Sequence, residues 1–311
     1  MIFNPGQQCA PLRLKTRGSD GILERMSENG DAVPDSTAAR VALWRALHLA
    51  IDPPPHVLED GIGLQLLAPA ADWRARGDMD PQFTRPFRAA IVARARFIED
   101  LLAEQVERGL GQYVILGAGL DSFAQRRPQF ASRLAIFEVD RPATQAWKRR
   151  RLIELGYGVP PWLRFVPVDF AARGSWGEAL VAAGFDDRKP ALVVATGLSM
   201  YLTKEANAGL LRQAAALVPG SMLAMTFLLP LALADPAVRP GLEMAEHGAR
   251  ASGTPFLSFF HPLEILALAR DCGFTEVQHV SAATLTTRYF ADRSDGLRPP
   301  EHAEELLVAR C

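Results

Sequence analysis

The chain has 311 residues, 49% hydrophobic and 22% charged, with a formal net charge of −1. This is the composition of a soluble globular protein, and its length suits one elaborated domain as well as two. Nucleic acid and acidic membranes are excluded as main partners, since both require a basic surface.

Cys9, Cys272 and Cys311 are too scattered for a zinc site, and their odd number fits reduced thiols rather than a disulfide framework. The six histidines show no metal-ligand spacing, so no metal is expected. The longest apolar run, residues 222–234, is too short to span a bilayer and is broken by Pro230. A cytoplasmic location is expected.

Residues 1–34 are polar, rich in Gly and Pro and without apolar periodicity, so they read as a mobile leader; Met26 is a candidate alternative start. A single domain is expected from residue 35, beginning with N-terminal helices over 35–110. Asp35-Ser36-Thr37 offers an N-cap for a helix to about residue 50. Asp52-Pro53-Pro54-Pro55 stops it, and a short helix is expected over 57–67. A long helix follows from about 85 to 108. On a 100° wheel its apolar stripe is Ala90, Ile91, Phe97, Ile98, Leu101 and Leu102, with Arg94 in the middle. Arg85, Arg88, Arg96, Glu99 and Asp100 fall on the other side. A guanidinium inside an apolar stripe stays charged and needs an anion, which singles out Arg94.

From residue 111 to 227, short apolar runs at 113–116, 134–139, 165–168, 191–195 and 223–227 alternate with helical stretches at 142–155, 176–183 and 204–217. Such alternation predicts an α/β fold with a parallel sheet covered on both faces. Residues 228–262 are punctuated by proline and read as an insertion or lid. A helix over 263–271, ending at Gly273, and two strands, 276–281 and 305–309, complete the chain. The two strands are expected to pair antiparallel.

In open parallel sheets ligands sit beyond the carboxyl ends of the strands. Gly117-Ala118-Gly119-Leu120-Asp121 follows the first strand, Glu138-Val139-Asp140 closes the second, and Asp169-Phe170 follows the third. The loop starts as G-x-G-x-x-G, but Ser122 stands where the third glycine belongs, and Asp121 would repel a diphosphate. Glu138 or Asp140 suits ribose hydroxyls. A nucleoside without phosphates but with a positive centre matches these carboxylates. S-adenosylmethionine is such a ligand, and its carboxylate would also partner Arg94.

The stretches VARARFIEDLL, QYVILGAGLDSFAQR, IFEVDRPATQAWKRRRL, FVPVDF and TGLSMYL resemble the leucine carboxyl methyltransferase family, in its bacterial branch, over residues 36–227. The resemblance implies a class I methyltransferase (Rossmann-like) fold with S-adenosyl-L-methionine as methyl donor. It implies that Arg94 binds the donor's carboxylate and that Gly117, Ala118 and Gly119 pack against its methionine portion. Asp140 with Glu138 would hold the ribose, Asp169 and Phe170 would flank adenine, and Asp121 would lie beside the loop. The family usually carries Glu where this chain has Thr196, which removes a carboxylate near donor or acceptor.

The function expected is O-methylation of a small molecule of secondary metabolism, forming a methyl ester on a carboxylic acid. The alternatives are a protein C-terminal carboxyl methyltransferase and a non-catalytic donor-binding protein; an NAD-dependent dehydrogenase is disfavoured by Asp121 and Ser122. Tyr201 and His261 are the candidates for a catalytic or acceptor-facing role. Phe256, Phe259, Phe260, Met222, Met225 and Met244 are candidates to line an apolar acceptor pocket.

Overall fold

A computed structural model describes residues 36–170, 175–251 and 253–311. The leader, Met26 and Cys9 lie outside the described residues. Two helices open the fold, α1 (Ser36–Ile51) and the short α2 (Ile62–Leu67), followed by the long α3 (Arg85–Glu107). The strands are β1 (Gln112–Leu116), β2 (Ala135–Asp140), β3 (Leu163–Pro167), β4 (Ala191–Ala195), β5 (Met222–Leu228), β6 (Glu276–Val280) and β7 (Glu304–Arg310). Between them run α4 (Pro142–Glu154), α5 (Trp176–Ala182), α6 (Lys204–Ala215), α7 (Arg239–Ala251), α8 (Pro262–Asp271) and α9 (Ala282–Tyr289).

The seven strands form one sheet in the order β3-β2-β1-β4-β5-β7-β6. The first five are parallel, while β7 runs antiparallel to both β5 and β6. The α/β alternation and the terminal antiparallel pair therefore stand as the sequence predicts. Each central strand is buried on both faces because successive side chains point to opposite sides. Tyr113, Ile115 and Ile136 pack under α3 and α9, whereas Val114, Leu116, Phe137 and Val139 pack under α5, α6 and α8. A third cluster, with Leu43, Leu47, Leu66 and Trp147, seats α1 and α2 against α4.

Four expectations are corrected. The 57–67 helix is confined to Ile62–Leu67. The 228–262 insertion contains a 13-residue helix, α7, which its glycines and prolines conceal from a periodicity reading. The segment between the last two strands contains α9, whose N-cap Ser281 accepts a hydrogen bond from the Thr284 amide.

The fourth concerns Arg88, which the wheel places on the polar side of α3. It is 2% exposed. Its Nη2 donates to Asp52 Oδ1 at 2.8 Å, its Nη1 donates to the Pro81 carbonyl at 2.8 Å, and Thr84 Oγ1 is a further acceptor. The single-stripe reading fails because α3 is covered by the sheet on one side and by α1 and the turn after it on another. His48 caps the arrangement: its Nδ1 lies 2.9 Å from Asp52 Oδ2, and its Nε2 accepts from the Val57 amide at 3.2 Å.

Burial raises the Asp52 carboxyl, but hydrogen bonds from His48 and Arg88 outweigh it and hold the group at about 2, below its ordinary 3.8. A depressed acid contributes stability that is present above its unfolded value and lost as pH falls through the folded one. Arg88→Met is expected to destabilise the protein by about 3–5 kcal/mol at pH 7, the cost of breaking a buried pair. Asp52→Asn is expected to lack the part of the acid-induced stability loss that falls between pH 4 and 2. Urea midpoints of the three proteins across that range measure both effects.

Candidate functional site

The loop after β1 is shaped by two residues with positive φ, Gly117 at 67° and Gly119 at 50°. Left-handed backbone disfavours any side chain, and space forbids one as well. A Cβ at Gly117 would lie 3.2 Å from Leu198, and one at Gly119 would lie 3.3 Å from Ala38 of α1. The loop is thus wedged between α1 and the turn after β4.

Ser122, which replaces the third glycine, is an anchor. It is buried and donates through Oγ to Asp60 Oδ2 at 2.5 Å, while Arg126 Nε donates to the same Oγ at 3.1 Å. Arg45 of α1 forms an ion pair with Asp60 at 2.7 Å and donates from Nη2 to the Leu120 carbonyl at 2.6 Å. The first helix and the glycine loop are therefore locked to one buried carboxylate.

A cavity of about 810 Å³ opens at the carboxyl edge of the parallel strands. Its walls include Gly117, Ala118, Gly119 and Asp121 after β1, Asp140 at the end of β2, Asp169 and Phe170 after β3, and Thr196 after β4, with Arg94 from α3. These nine predicted site residues are brought together. Asp140 accepts from the Gly119 amide through Oδ2 at 2.6 Å and from the Arg141 amide through Oδ1 at 2.7 Å, so it is fixed to the loop it faces. Asp121 accepts from the Phe123 amide at 2.9 Å. Carboxylates around an arginine suit a nucleoside with a cationic centre and an amino acid tail, and they oppose a diphosphate.

Away from these groups the cavity is apolar. Trp44 and Phe87 stack at 5.9 Å, and Phe83, Ile91, Met244 and Phe256 line the same space. The α7 helix contributes Leu242, Met244 and Ala245 to this part of the wall. A Cβ at Gly241 would lie only 2.8 Å from the Phe87 ring, so α7 sits directly on the aromatic floor there. Tyr201 lines the cavity and meets Phe256 edge to face at 5.6 Å.

Several expected members lie elsewhere. Glu138 is 1% exposed and is absent from the cavity wall. It shares a face of β2 with Asp140 but lies opposite Ile115, one residue before the end of β1, and so sits beneath α4 rather than at the edge. Its Oε2 pairs with Lys148 Nζ at 2.5 Å, and its Oε1 has no hydrogen-bond partner. Burial pushes this carboxyl from 4.5 up to about 7 against the pull of the Lys148 ammonium, and nearby Asp121 adds to the rise.

His261 is exposed and forms the N-cap of α8 in a capping box with Glu264, away from the cavity. Phe260, Met222 and Met225 are core residues, and Phe259 is not among the cavity-lining residues.

Arg94 also differs from expectation. It is 12% exposed, and its Nη1 pairs with Glu304 at 2.5 Å, so the protein itself supplies the anion that burial demands. Glu304 is the site residue the sequence reading missed. It begins β7, and because β7 is antiparallel its first residue reaches the edge where β1, β4 and β5 end. A search confined to strand carboxyl ends passes over it; the only sequence signal is an acidic residue opening the final strand.

Sheet order, loop and cavity define the class I methyltransferase type of architecture. A solved structure from Streptomyces avermitilis, described as a duf574 family protein, shares the fold at a TM-score of 0.53 and 16% identity, over 86% of this chain and 96% of that one. A Thermobifida fusca structure described as a methyltransferase does so at 0.52 and 19%, over 90% and 95%. The family model of leucine carboxyl methyltransferase matches residues 38–215.

A Bacillus subtilis (strain 168) protein named among S-adenosyl-L-methionine-dependent methyltransferases is 35% identical over 207 residues, 66% of this chain and 67% of its own length. A similarly named protein of Mycobacterium tuberculosis (strain ATCC 25618 / H37Rv) is 35% identical over 204 residues, which span 66% of its length. One from Mycobacterium sp. (strain KMS) is 37% identical over 285 residues, covering 88% and 85%. The chain belongs to the leucine carboxyl methyltransferase family, a family of S-adenosylmethionine-dependent methyltransferases. Among the described residues no helix is long and apolar enough to cross a membrane.

The buried Glu138–Lys148 pair yields a pH-dependent expectation. A raised carboxyl costs stability as pH climbs from its unfolded value through its folded one. Lys148→Met removes the compensating charge, so it is expected to destabilise the fold by about 3–5 kcal/mol at pH 8, where Glu138 must ionise or remain protonated at a cost. The loss is expected to be clearly smaller at pH 5.5. Denaturant titrations at the two pH values check this, and an equal loss at both would contradict it.

Proposed function

We propose that the chain transfers a methyl group from S-adenosylmethionine to a carboxylate oxygen of a small, largely apolar organic acid. The observation that carries the reading is the composition of the single space around the glycine loop. It joins acidic strand ends to an aromatic lobe, and no histidine, lysine or cysteine is among its described lining residues. An acceptor hydroxyl needs a base to remove its proton, whereas a carboxylic acid is already ionised at neutral pH. The family description, with carboxyl as its acceptor group, agrees. A volume of about 810 Å³ falls within the range of about 300–1,000 Å³ typical of small-ligand sites.

In this reading Arg94 holds the donor's carboxylate, and Gly117, Ala118 and Gly119 pack against its methionine portion. Asp140 receives the ribose hydroxyls, while Asp169 and Phe170 flank the adenine. When bound, S-adenosylmethionine supplies an electrophilic methyl group on a positively charged sulfur. The protein's share is alignment, since in-line displacement depends on geometry more than on proton transfer. The aromatic lobe orients the acceptor and keeps water out. Tyr201 offers a hydroxyl to the acceptor carboxylate. Thr196 leaves the acceptor side without the negative charge that would repel an acid.

Incubation with methyl-labelled donor and a panel of aromatic and aliphatic acids, matched alcohols and amines, and peptides with free C-termini tests the reading. Base-labile label on the small acids is the expected outcome. Transfer only to alcohols or amines would refute the carboxylate acceptor, transfer only to peptides would indicate a protein substrate, and donor binding without any transfer would indicate a non-catalytic protein. Asp140→Ala is expected to weaken donor binding by about 1.5–3 kcal/mol, the range for lost charged hydrogen bonds, with little change in folding. Calorimetric titration of the folded variant measures it, and an unchanged dissociation constant removes Asp140 from the site.

A further inference from the structure

We infer that Glu304 is a donor-binding residue that receives the donor's ammonium group, so that Arg94 and Glu304 together form a receptor for its zwitterionic tail; the inference rests on the donor reading above. Both side chains line the cavity beside the glycine loop. They are similarly buried, 12% and 13% exposed, and pair at 2.5 Å. An α-amino acid carries its carboxylate and ammonium on one carbon, so its complement is a cation and an anion held side by side. In the free protein the two side chains satisfy each other. A ligand of opposite polarity can take both in exchange without leaving either charge buried and unpaired.

The surroundings fix this arrangement. A Cβ at Gly197 would lie 3.3 Å from Arg94 Nη2, so the turn after β4 closes on one side of the guanidinium. The Gly197 amide donates to Thr226 Oγ1 at 2.8 Å, which ties that turn to β5. On the other side Glu304 is held by the β5–β7 ladder, opposite Leu228, and the preceding Ala303 carbonyl accepts from the Leu229 amide at 2.9 Å. Thr196, next to Gly197, brings no charge. Glu304 therefore brings a carboxylate to Arg94 from the antiparallel strand.

Three ligands separate the contacts: S-adenosylhomocysteine with the complete tail, its deamino counterpart with the carboxylate alone, and 5′-methylthioadenosine with neither group. The wild type is expected to prefer S-adenosylhomocysteine to the deamino compound by about tenfold or more, the worth of a charged hydrogen bond. Glu304→Gln is expected to abolish that preference by weakening S-adenosylhomocysteine alone, leaving methylthioadenosine within about twofold of wild type.

Equal or tighter binding of S-adenosylhomocysteine by Glu304→Gln overturns the inference, because Glu304 would then only occupy Arg94. Equal weakening of all three ligands also overturns it, since that is the mark of a structural role. If Glu304→Gln does not fold, the wild-type preference and Glu304→Asp decide. Wild-type indifference to the amino group, or an Asp variant that keeps the full preference while weakening all three ligands alike, refutes the contact. Methylthioadenosine binding with no discrimination of the tail counts against Glu304 alone, whereas no binding of any of the three by the wild type removes the donor site itself.

Discussion

Everything at the site depends on the common direction of β1 to β5. Parallel strands deliver all their carboxyl ends to one edge, and each crossover returns the chain to the opposite edge before the next strand begins. Five loops therefore converge without any of them having to be long. The order reverses between β1 and β4, so their loops diverge to opposite faces and leave the gap that becomes the cavity. The antiparallel β7 is the exception that completes the set, because it presents its beginning where its neighbours present their ends.

Within that frame the buried charges bind the parts together. Asp60 links α1 to the glycine loop through Arg45 and Ser122. Asp52 links α1 to α3 through His48 and Arg88. Glu138 links β2 to α4 through Lys148. Each is a group that would be expensive to bury alone and is tolerated only because its partner arrives from a different element. Misplacing one of these elements would therefore strand a charge, which penalises alternative packings of the N-terminal helices more than apolar contacts alone could.

The backbone plan was legible in the sequence because periods of about two and 3.6 residues mark strands and helices directly. The loop at Gly117 and Gly119 and the acidic strand ends at Asp140 and Asp169 were legible for a related reason, since they fall at positions defined by the plan. What escaped depends on packing between distant elements. Arg88 looked solvated because a wheel describes one covering surface, whereas α3 meets two. Glu138 looked like a strand end because the register between β1 and β2, which sets it one residue too deep, is not written locally. His261 attracted attention as a residue type and proved to be a helix cap. Glu304 was overlooked since its relevance arises only from the reversed direction of β7.

The contact between Gly241 and the ring of Phe87 bears on how such an enzyme diversifies. The glycine loop and the carboxylates belong to the sheet edge. The α7 cover belongs to the segment between β5 and α8, and it rests on aromatic side chains through a residue with no side chain of its own. A side chain at position 241 would force either the Phe87 ring or the cover to shift at that contact. The two parts of the cavity wall thus come from separable parts of the chain, so the cover can vary in sequence while the sheet edge stays as it is.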